Sequence, residues 1–301
     1  MEKRVDIKVG FSCNNNCRFC VQGHKRNWGD KTTEQIKNDL AGAKKTKCEG
    51  VVFTGGEVTI RKDIFEIVEY AKELGFNTIQ IQTNGRMLAY MGFCKKLVRA
   101  GVTEFGPALH GHCAELHDFL TNSSGSFKQT VSGIKNIKKL GFPVITNTVV
   151  TKPNYTHIPE IAKLLVSLDV NQFQFAFVHP LGNAYTNFDS IVPKTSLAAP
   201  YIQKGLQIGI DAGKVVMAEA MPYCLMKGYE KYLSEMYIPP TEIRDAGYII
   251  KDFDEERKTR GKTKFPKCKR CKHYLVCEGP WKEYPEKMGD REFKPVLSVK
   301  K

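Results

Sequence analysis

Between residue 5 and about residue 180, short runs of β-branched and aromatic residues alternate with longer stretches whose apolar positions recur every three or four residues. The short runs are "VDIKVG", "GVVFTG", "NTIQIQTNG", "VTEFGPALHG", "PVITNTVVT" and "QFQFAFVHP", and each reads as a strand. The stretches between them carry helix start signals. Thr32 and Gln35 form a capping box ahead of Ile36, Leu40 and Ala43. Asp63 and Glu66 are placed to do the same before Ile64, Ile67, Val68, Ala71 and Leu74, and Ser126 and Gln129 before Val131, Ile134 and Ile137. Gly75, Gly101 and Gly141 end helices ahead of the next strand.

Successive βα units imply parallel strands joined by right-handed crossovers, in an open sheet or a partial barrel. The strands carry near-continuous apolar runs, as expected where helices cover both faces. Ligands in such folds bind at the carboxyl ends of the strands. The units repeat in pattern and not in sequence, which excludes a solenoid.

A further helical stretch, "SLAAPYIQKGLQIGIDAGK", begins near residue 196, and the character changes after Val216. "MPYCLMKGYEKYLSEMYIPPTE" is rich in tyrosine and proline, and "DEERKTRGKTKFPK" is expected to be an exposed charged segment. The expected division is residues 1–214 as the barrel domain and 215–301 as a small extension. The extension has too few apolar residues for a comparable core, and a metal staple would compensate.

The 301 residues are 42% hydrophobic and 26% charged, an ordinary globular composition. No apolar run is long enough to span a bilayer, and "MEKRVDIKVGF" has no signal-peptide core, so a cytoplasmic setting is expected. There the ten cysteines are reduced thiols, and their clusters read as metal ligands. The net charge of +14 is read chiefly as a lysine-rich solvated surface, as in "KNDLAGAKKTK" and "KNIKKLG". No recognised nucleic-acid motif accompanies it.

Cys13, Cys17 and Cys20 in "CNNNCRFC" directly follow the first strand, at the carboxyl edge of the sheet. Three thiolates can each take one iron of a [4Fe–4S] cubane and leave the fourth iron open, which marks a site that does chemistry. A zinc site completed by His24 is the alternative reading of the isolated triple. At the end of the second strand, "FTGGE" supplies Gly55, Gly56 and Glu57: glycines for close backbone approach and a carboxylate for an ammonium. At the end of the third, "QTNG" supplies Thr83 and Asn84, which suit a ligand with hydroxyls. All three motifs fall on one rim.

These residues resemble the radical S-adenosylmethionine (SAM) superfamily, in its molybdopterin-precursor and peptide-maturase branch. "CNNNCRFC" matches that family's CxxxCxΦC motif with Phe19 as Φ, "GGE" matches the segment at the methionine end of SAM, and "HGHCAELHDFLTNSSGSFKQTVSGIKNIKKLG" looks like its fourth βα unit. The resemblance implies a partial (β/α)6 TIM-like barrel. It implies that Cys13, Cys17 and Cys20 ligate the cluster, with SAM chelating the fourth iron. Gly55, Gly56 and Glu57 would hold the methionyl ammonium. Asn84 and Asn147 would face the ribose and methionine region, and Phe19 with the backbone near Val178 would line the adenine pocket. Val58 stands where the branch commonly has proline, and Ala108 where many relatives have serine; the lost hydroxyl contact would fall to His110 or another group. The implied reaction is reductive cleavage of SAM to methionine and a 5′-deoxyadenosyl radical, which abstracts hydrogen from a substrate. The electron would come from a donor such as ferredoxin or flavodoxin.

Cys268, Cys271 and Cys277 form a second group, C-x2-C-x5-C, for which a zinc knuckle is the plainest reading. Cys224 is available as a fourth thiolate. The arrangement resembles the SPASM/Twitch extension of radical SAM enzymes, with Trp281 standing where the full pattern has a further cysteine. One auxiliary [4Fe–4S] cluster held by Cys224, Cys268, Cys271 and Cys277 is therefore expected. Cys48, Cys94 and Cys113 are read as small buried hydrophobes. The expected substrate is a peptide or a small metabolite. The first strand begins by residue 5 with no winged-helix peptide-recognition domain expected before it, so a peptide leader would need another docking surface or a separate protein. The alternative substrate is a nucleotide or phosphorylated metabolite, against which the tail "KPVLSVKK" lacks a glycine-rich end. From other classes, a non-catalytic iron–sulfur carrier or a zinc-dependent nucleic-acid-binding protein remains open at this stage.

Overall fold

A computed structural model describes residues 2–298, so the last three residues of "KPVLSVKK" lie outside the described residues. The chain runs β1 (Arg4–Lys8), α1 (Thr33–Lys45), β2 (Gly50–Thr54), α2 (Ile64–Glu73), β3 (Thr78–Thr83), α3 (Met91–Ala100) and β4 (Glu104–Pro107). It continues through α4 (Ala114–Thr121), α5 (Ser126–Lys139), β5 (Ile145–Val150), α6 (Ile158–Ser167) and β6 (Gln172–Phe177). Two single-turn helices, α7 (Asn183–Thr186) and α8 (Phe188–Ile191), lead into α9 (Thr195–Asp211), β7 (Val215–Glu219), β8 (Thr241–Arg244) and β9 (Ile249–Ile250). All six expected strands are present.

One sheet has the order β4-β3-β2-β1-β8-β9 and another β5-β6-β7, and every pairing except β8 with β9 is parallel. Parallel bridges from Phe105 to Val144 and from Ala108 to Asn147 join the two across β4 and β5. The result is a partial α/β barrel. In register across β1 to β4, Ile7, Phe53, Ile81 and Phe105 form one fully buried row beneath the helices.

The opposite strand face departs from the expected apolar runs. Arg4, Asp6 and Lys8 alternate with buried Val5 and Ile7, and Gln172 and Gln174 alternate with buried Phe173 and Phe175. Helices cover only the outer face, so the inner face can be polar and line a lumen. Lys8 bonds Asp6 at 3.1 Å and Thr54 at 2.8 Å, and Gln80 bonds Glu104 at 3.2 Å across this face.

Two strands escape the sequence pattern. Val215–Glu219 pairs with β6, so the parallel sheet continues past residue 214. Thr241–Arg244 then returns to pair with β1, placing part of the extension in the barrel's own sheet. The extension also packs on the barrel through Tyr284, which is fully buried and lies edge-on to Phe177 at 5.7 Å.

The capping box of Thr32 and Gln35 forms in both directions. The other two expected boxes do not. Asp63 makes no cap bond; its carboxylate holds Arg61 at 2.6 Å and the Thr33 hydroxyl at 2.6 Å. At α5, Asp118 takes over, accepting the amides of Gly125 and Phe127, each at 2.7 Å, and the Ser126 hydroxyl at 2.8 Å. A carboxylate already oriented by α4 outcompetes a local serine for the same donors. Gly75, Gly101 and Gly141 terminate their helices with positive φ, as expected.

"DEERKTRGKTKFPK" is not wholly exposed. Arg257 and Lys262 are buried, Arg257 in a two-bond pair with Glu278 at 2.7 Å for each contact. Burial of a cation follows its counter-charge, here supplied from outside the segment. Cys48 and Cys94 are fully buried, the Cys94 thiol donating to the Leu88 carbonyl at 3.0 Å. Cys113 is only half-buried, because it precedes α4 as its N-cap instead of packing inside a helix.

Candidate functional site

The loop after β1 and the loop after β2 lock together before either reaches its functional residues. The Gly56 amide donates to the Gly10 carbonyl at 2.7 Å and the Glu57 amide to the Ser12 carbonyl at 2.8 Å. A Cβ on Gly56 would stand 2.1 Å from the Ser12 oxygen. Gly55 has φ +117°, and a Cβ there would stand 2.3 Å from the Gly10 oxygen. The two glycines are therefore required for backbone-on-backbone contact, independent of any ligand. Asp30 completes the clamp by accepting the Phe11 amide at 2.8 Å and the Ser12 amide at 3.0 Å.

Glu57 then links the second loop to the third. Its Oε1 accepts the Thr59 amide at 3.0 Å and the Thr83 hydroxyl at 2.5 Å, with the Thr59 hydroxyl in contact as well. Its Oε2 accepts the Asn84 amide at 2.6 Å. A carboxylate has about four lone-pair sites, so Glu57 keeps little free capacity on Oε1 and one open direction on Oε2. Asn84 in turn donates from Nδ2 to Asn14 Oδ1 at 2.6 Å, inside the cysteine loop. Cys13, Gly55–Glu57 and Thr83–Asn84 thus share one hydrogen-bonded rim at the carboxyl ends of β1, β2 and β3.

The cysteine loop is held by residues that its own motif does not include. The amides of Asn16 and Arg18 donate to the Thr121 and Leu120 carbonyls at 3.0 and 2.9 Å. Asn183 donates from Nδ2 to the Cys17 carbonyl at 2.8 Å and from its amide to the Cys20 carbonyl at 2.9 Å. Arg86, which directly follows "QTNG", donates to Asn15 Oδ1 at 3.0 Å, Ser123 Oγ at 2.9 Å and Gln129 Oε1 at 2.6 Å, and also reaches the Asn14 carbonyl. The adjacency of Arg86 to "QTNG" was its only sequence signal, and Asn183 had none.

Cys13, Cys17 and Cys20 are all partly buried, and burial pushes each thiol upward, Cys17 most strongly. His24 is exposed and lies edge-on to Trp28, with ring centroids 6.1 Å apart.

Phe19 is buried and meets the His110 ring edge-on at 4.7 Å. His110 accepts the Val149 amide on Nδ1 at 3.2 Å, and His117 accepts the His110 amide on Nδ1 at 3.1 Å. Both rings are therefore Nε2–H tautomers. Burial pushes both below the ordinary imidazole range, with the His117 ring adding to the shift of His110, and His117 falls to about 4. Asn147 is exposed on the inner face of β5. Val178 is buried with its amide bonded to the Val150 carbonyl at 3.2 Å. Ala108 donates its amide to Thr83 at 2.9 Å. Val58 is fully buried.

The second cysteine group gathers around one cavity. Cys224, Cys268, Cys271 and Cys277 line one cavity with Phe265 and Phe293, whose rings stack at 5.6 Å. Burial, followed by the neighbouring thiols, pushes Cys224 up to about 12. Among the described residues, no three His, Cys, Asp or Glu side chains converge on a position for a single metal ion.

His179 stacks on Trp281 at 3.9 Å and 5°, and donates from Nε2 to the Glu283 carboxylate at 3.0 Å. The Lys262 ammonium lies 3.8 Å from the centre of the Trp281 ring and 3.7 Å from Glu235 Oε1. The position where the extension pattern would have a cysteine thus carries an aromatic joint between barrel and extension.

A parallel partial barrel with a three-cysteine rim loop and a clamped Gly-Gly-Glu segment defines the class. Residues 7–165 match the family described as the Radical SAM superfamily, and the chain belongs to that family. Its cofactors are a [4Fe–4S] cluster and SAM. Among curated relatives, the AdoMet-dependent heme synthase of Oleidesulfovibrio alaskensis is 29% identical over 179 residues, 59% of this chain and 46% of that protein. A probable GTP 3′,8-cyclase of Saccharolobus islandicus is 31% identical over 181 residues, 59% of this chain and 58% of that protein. The match thus spans about half the length of these relatives. Among solved structures, Streptococcus suis SuiB bound to S-adenosylmethionine aligns with TM-score 0.70 at 17% identity, over 98% of this chain and 76% of that chain. Native anSMEcpe with bound AdoMet aligns with TM-score 0.59 at 15% identity, over 98% of this chain and 93% of that chain. These likenesses establish the fold. Among the described residues, no helix is long and apolar enough to cross a membrane.

Proposed function

We propose that this radical SAM enzyme acts on a peptide or a polar small metabolite, using a hydrogen-abstracting 5′-deoxyadenosyl radical and one auxiliary iron–sulfur cluster. When bound, the rim cluster and SAM supply the radical by reductive cleavage of a carbon–sulfur bond. Cys13, Cys17 and Cys20 hold the cluster, and the rim of Gly55, Gly56, Glu57, Thr83 and Asn84 holds the methionine end and ribose of SAM. The observation that carries this reading is the direct bonding of the three loops, with Gly56 on Gly10, Glu57 on Ser12 and Asn84 on both Glu57 and Asn14. Glu57 spends most of its acceptor capacity on the protein, so backbone carbonyls and the open direction on Oε2 are left for an ammonium. Phe19 packs one side of the adenine region with the Val178 backbone, and neutral His110 offers an Nε2–H donor beside Phe19. Asn147 projects from the inner face of β5 toward the same ligand.

The auxiliary cluster is assigned to Cys224, Cys268, Cys271 and Cys277, which share one cavity. In this reading the barrel unit runs through β7 and the auxiliary-cluster unit follows it, stapled by those thiols. A peptide or zwitterionic metabolite is favoured over a nucleotide by the mixed charge at the rim end of β1, where Lys8 is already paired with Asp6. A polyphosphate calls for several cations free to pair with it. The reductant is a low-potential carrier such as ferredoxin or flavodoxin.

Anaerobically reconstituted protein is expected to hold about eight irons for two cubanes and to release 5′-deoxyadenosine with SAM and dithionite. Stoichiometric zinc with no cleavage of SAM overturns the reading.

A further inference from the structure

The loop that carries the second cysteine group leaves its most apolar residues in water. Leu275 is 92% exposed and Val276 is 56% exposed, both between Cys271 and Cys277, and Leu297 is 61% exposed on the tail. The tail runs beside that loop, the Lys272 amide donating to the Val296 carbonyl at 2.8 Å and the Val296 amide to the Cys271 sulfur at 3.4 Å. A leucine exposed to that degree between two clustered cysteines packs against nothing among the described residues. Adjacent exposed apolar residues rimmed by charge mark an interaction surface.

The rim is mainly cationic, with Asp290 paired to Lys267 and Glu230 lying 3.9 Å from His273. Lys269, Arg270 and Lys272 are exposed, and among the described residues none of the three makes an ion pair. Lys264 is exposed as well, its ammonium bonded only to the Tyr274 carbonyl at 2.7 Å. The nearby Lys267 differs in being paired with Asp290 at 2.9 Å. Lys269, Arg270 and Lys272 flank Cys268 and Cys271 in the chain, so this basic and apolar loop is also the one that carries three of the four thiol residues, Cys268, Cys271 and Cys277, each partly exposed.

We propose that this face docks an acidic one-electron carrier protein. The inference rests on the reading of the four-thiol site as an auxiliary [4Fe–4S] cluster. Unpaired lysine and arginine steer an acidic partner, and Leu275 and Val276 give the encounter a small apolar centre. Small, charge-rimmed contacts of this kind suit transient electron transfer, where association must be fast and release unhindered. In the transfer, one electron leaves the reduced carrier and enters the oxidised cluster; the carrier is oxidised by one electron, the cluster is reduced by one, and no bond is made or broken. Part of the +14 net charge thereby acquires a specific use in addition to solvation.

The test uses the full-length reconstituted protein and reduced flavodoxin as the acidic probe. Stopped-flow reduction of the auxiliary cluster is expected to slow roughly tenfold between low salt and half-molar salt. The triple variant Lys269→Glu/Arg270→Glu/Lys272→Glu is expected to slow it roughly tenfold at low salt, with calorimetric binding of oxidised flavodoxin lost in parallel. Reduction by dithionite, and the iron content, should stay unchanged in that variant. Leu275→Ser should weaken binding while leaving the salt dependence in place. Iron retained with rates indifferent to salt and to charge reversal overturns the docking inference alone. Zinc at the four thiols overturns it together with the auxiliary-cluster reading. Self-association abolished by Leu275→Ser, with carrier rates unaffected, assigns the face to a second copy and overturns it as well.

Discussion

Glu57 Oε2 accepts the Asn84 amide at 2.6 Å, although the two residues follow different strands and stand 27 positions apart. That bond and the 2.5 Å contact from Thr83 make the Gly-Gly-Glu carboxylate a structural keystone of the rim, in addition to its proposed role toward an ammonium. Glu57→Gln separates the two roles poorly, because the new amide turns a donor toward the Thr59, Thr83 and Asn84 donors. It is expected to destabilise the fold by about 2 kcal/mol and to weaken SAM binding at least roughly tenfold. Urea denaturation and equilibrium dialysis with SAM check the two effects. A variant of unchanged stability that binds SAM normally would show that the keystone bonds are dispensable.

The two cysteine groups make separable predictions. Cys17→Ala should remove about four irons and abolish SAM cleavage while leaving the absorbance of the C-terminal site. Cys277→Ala should do the reverse for iron, leaving SAM binding intact. If Cys17→Ala retains cleavage, the rim loop has been misassigned. The carbonyls of Cys17 and Cys20 are bonded to Asn183, so the loop backbone should survive loss of one thiol.

Acid should unfold this protein through its paired histidines. His117 is buried with a pKa of about 4, against about 6.5 when unfolded, and burial pushes His110 in the same direction. A folded-state value below the unfolded one means that the unfolded chain binds the extra proton as pH falls. The stability is therefore complete above about pH 6.5 and is lost as pH drops toward 4, by up to about 3 kcal/mol for His117 alone. Protonation at Nδ1 would also break the bond from the His110 amide. Denaturant midpoints measured at several pH values should show the slope, and His117→Asn should flatten it. An unchanged slope in that variant assigns the acid sensitivity elsewhere.

The parts of this molecule legible in the sequence are those fixed by local spacing. Strand periodicity located β1 to β6, and the position of Cys13, Cys17 and Cys20 directly after the first strand located their loop at the carboxyl edge of the sheet. What escaped depends on partners distant in the chain. Arg257 and Lys262 look like surface charge until Glu278 and Glu235 are brought to them. Ser126 looks like a cap until Asp118 arrives from the preceding helix with a stronger acceptor. The polar alternation in β1 was visible in "RVDIK", but only the position of the helices decides that Arg4, Asp6 and Lys8 face a lumen. β8 has no local signal that its partner is β1, more than two hundred residues earlier.

Lys25 tests whether the extension is coupled to the cysteine loop. Its ammonium, buried a few residues past Cys20, bonds Asp245 at 2.7 Å in the turn between β8 and β9 and Tyr248 at 3.3 Å. Phe11, Trp28 and Tyr248 surround it with ring centres at 5.3, 5.1 and 5.5 Å. Burial alone would raise the Asp245 carboxyl, but the bonds from Lys25, Tyr248 and the Ala246 amide bring it below its usual range. Lys25→Met keeps the length of the side chain and its packing on the rings while leaving Asp245 without its cation. Removing one partner of a buried pair exacts the desolvation of the other, so a loss of about 3 kcal/mol is expected. Lys25→Met/Asp245→Asn should recover much of it, since no uncompensated charge remains. The coupling itself predicts more: because Lys25 sits on the short 3-10 helix Gly23–Trp28 that follows the cysteine loop, Lys25→Met should also speed loss of the rim cluster to a chelator. The double variant should restore the stability but not the slow release, because the pull of the β8–β9 turn on the loop is carried by the ion pair. Equal chelation rates in all three proteins would show that the extension and the cysteine loop are mechanically independent.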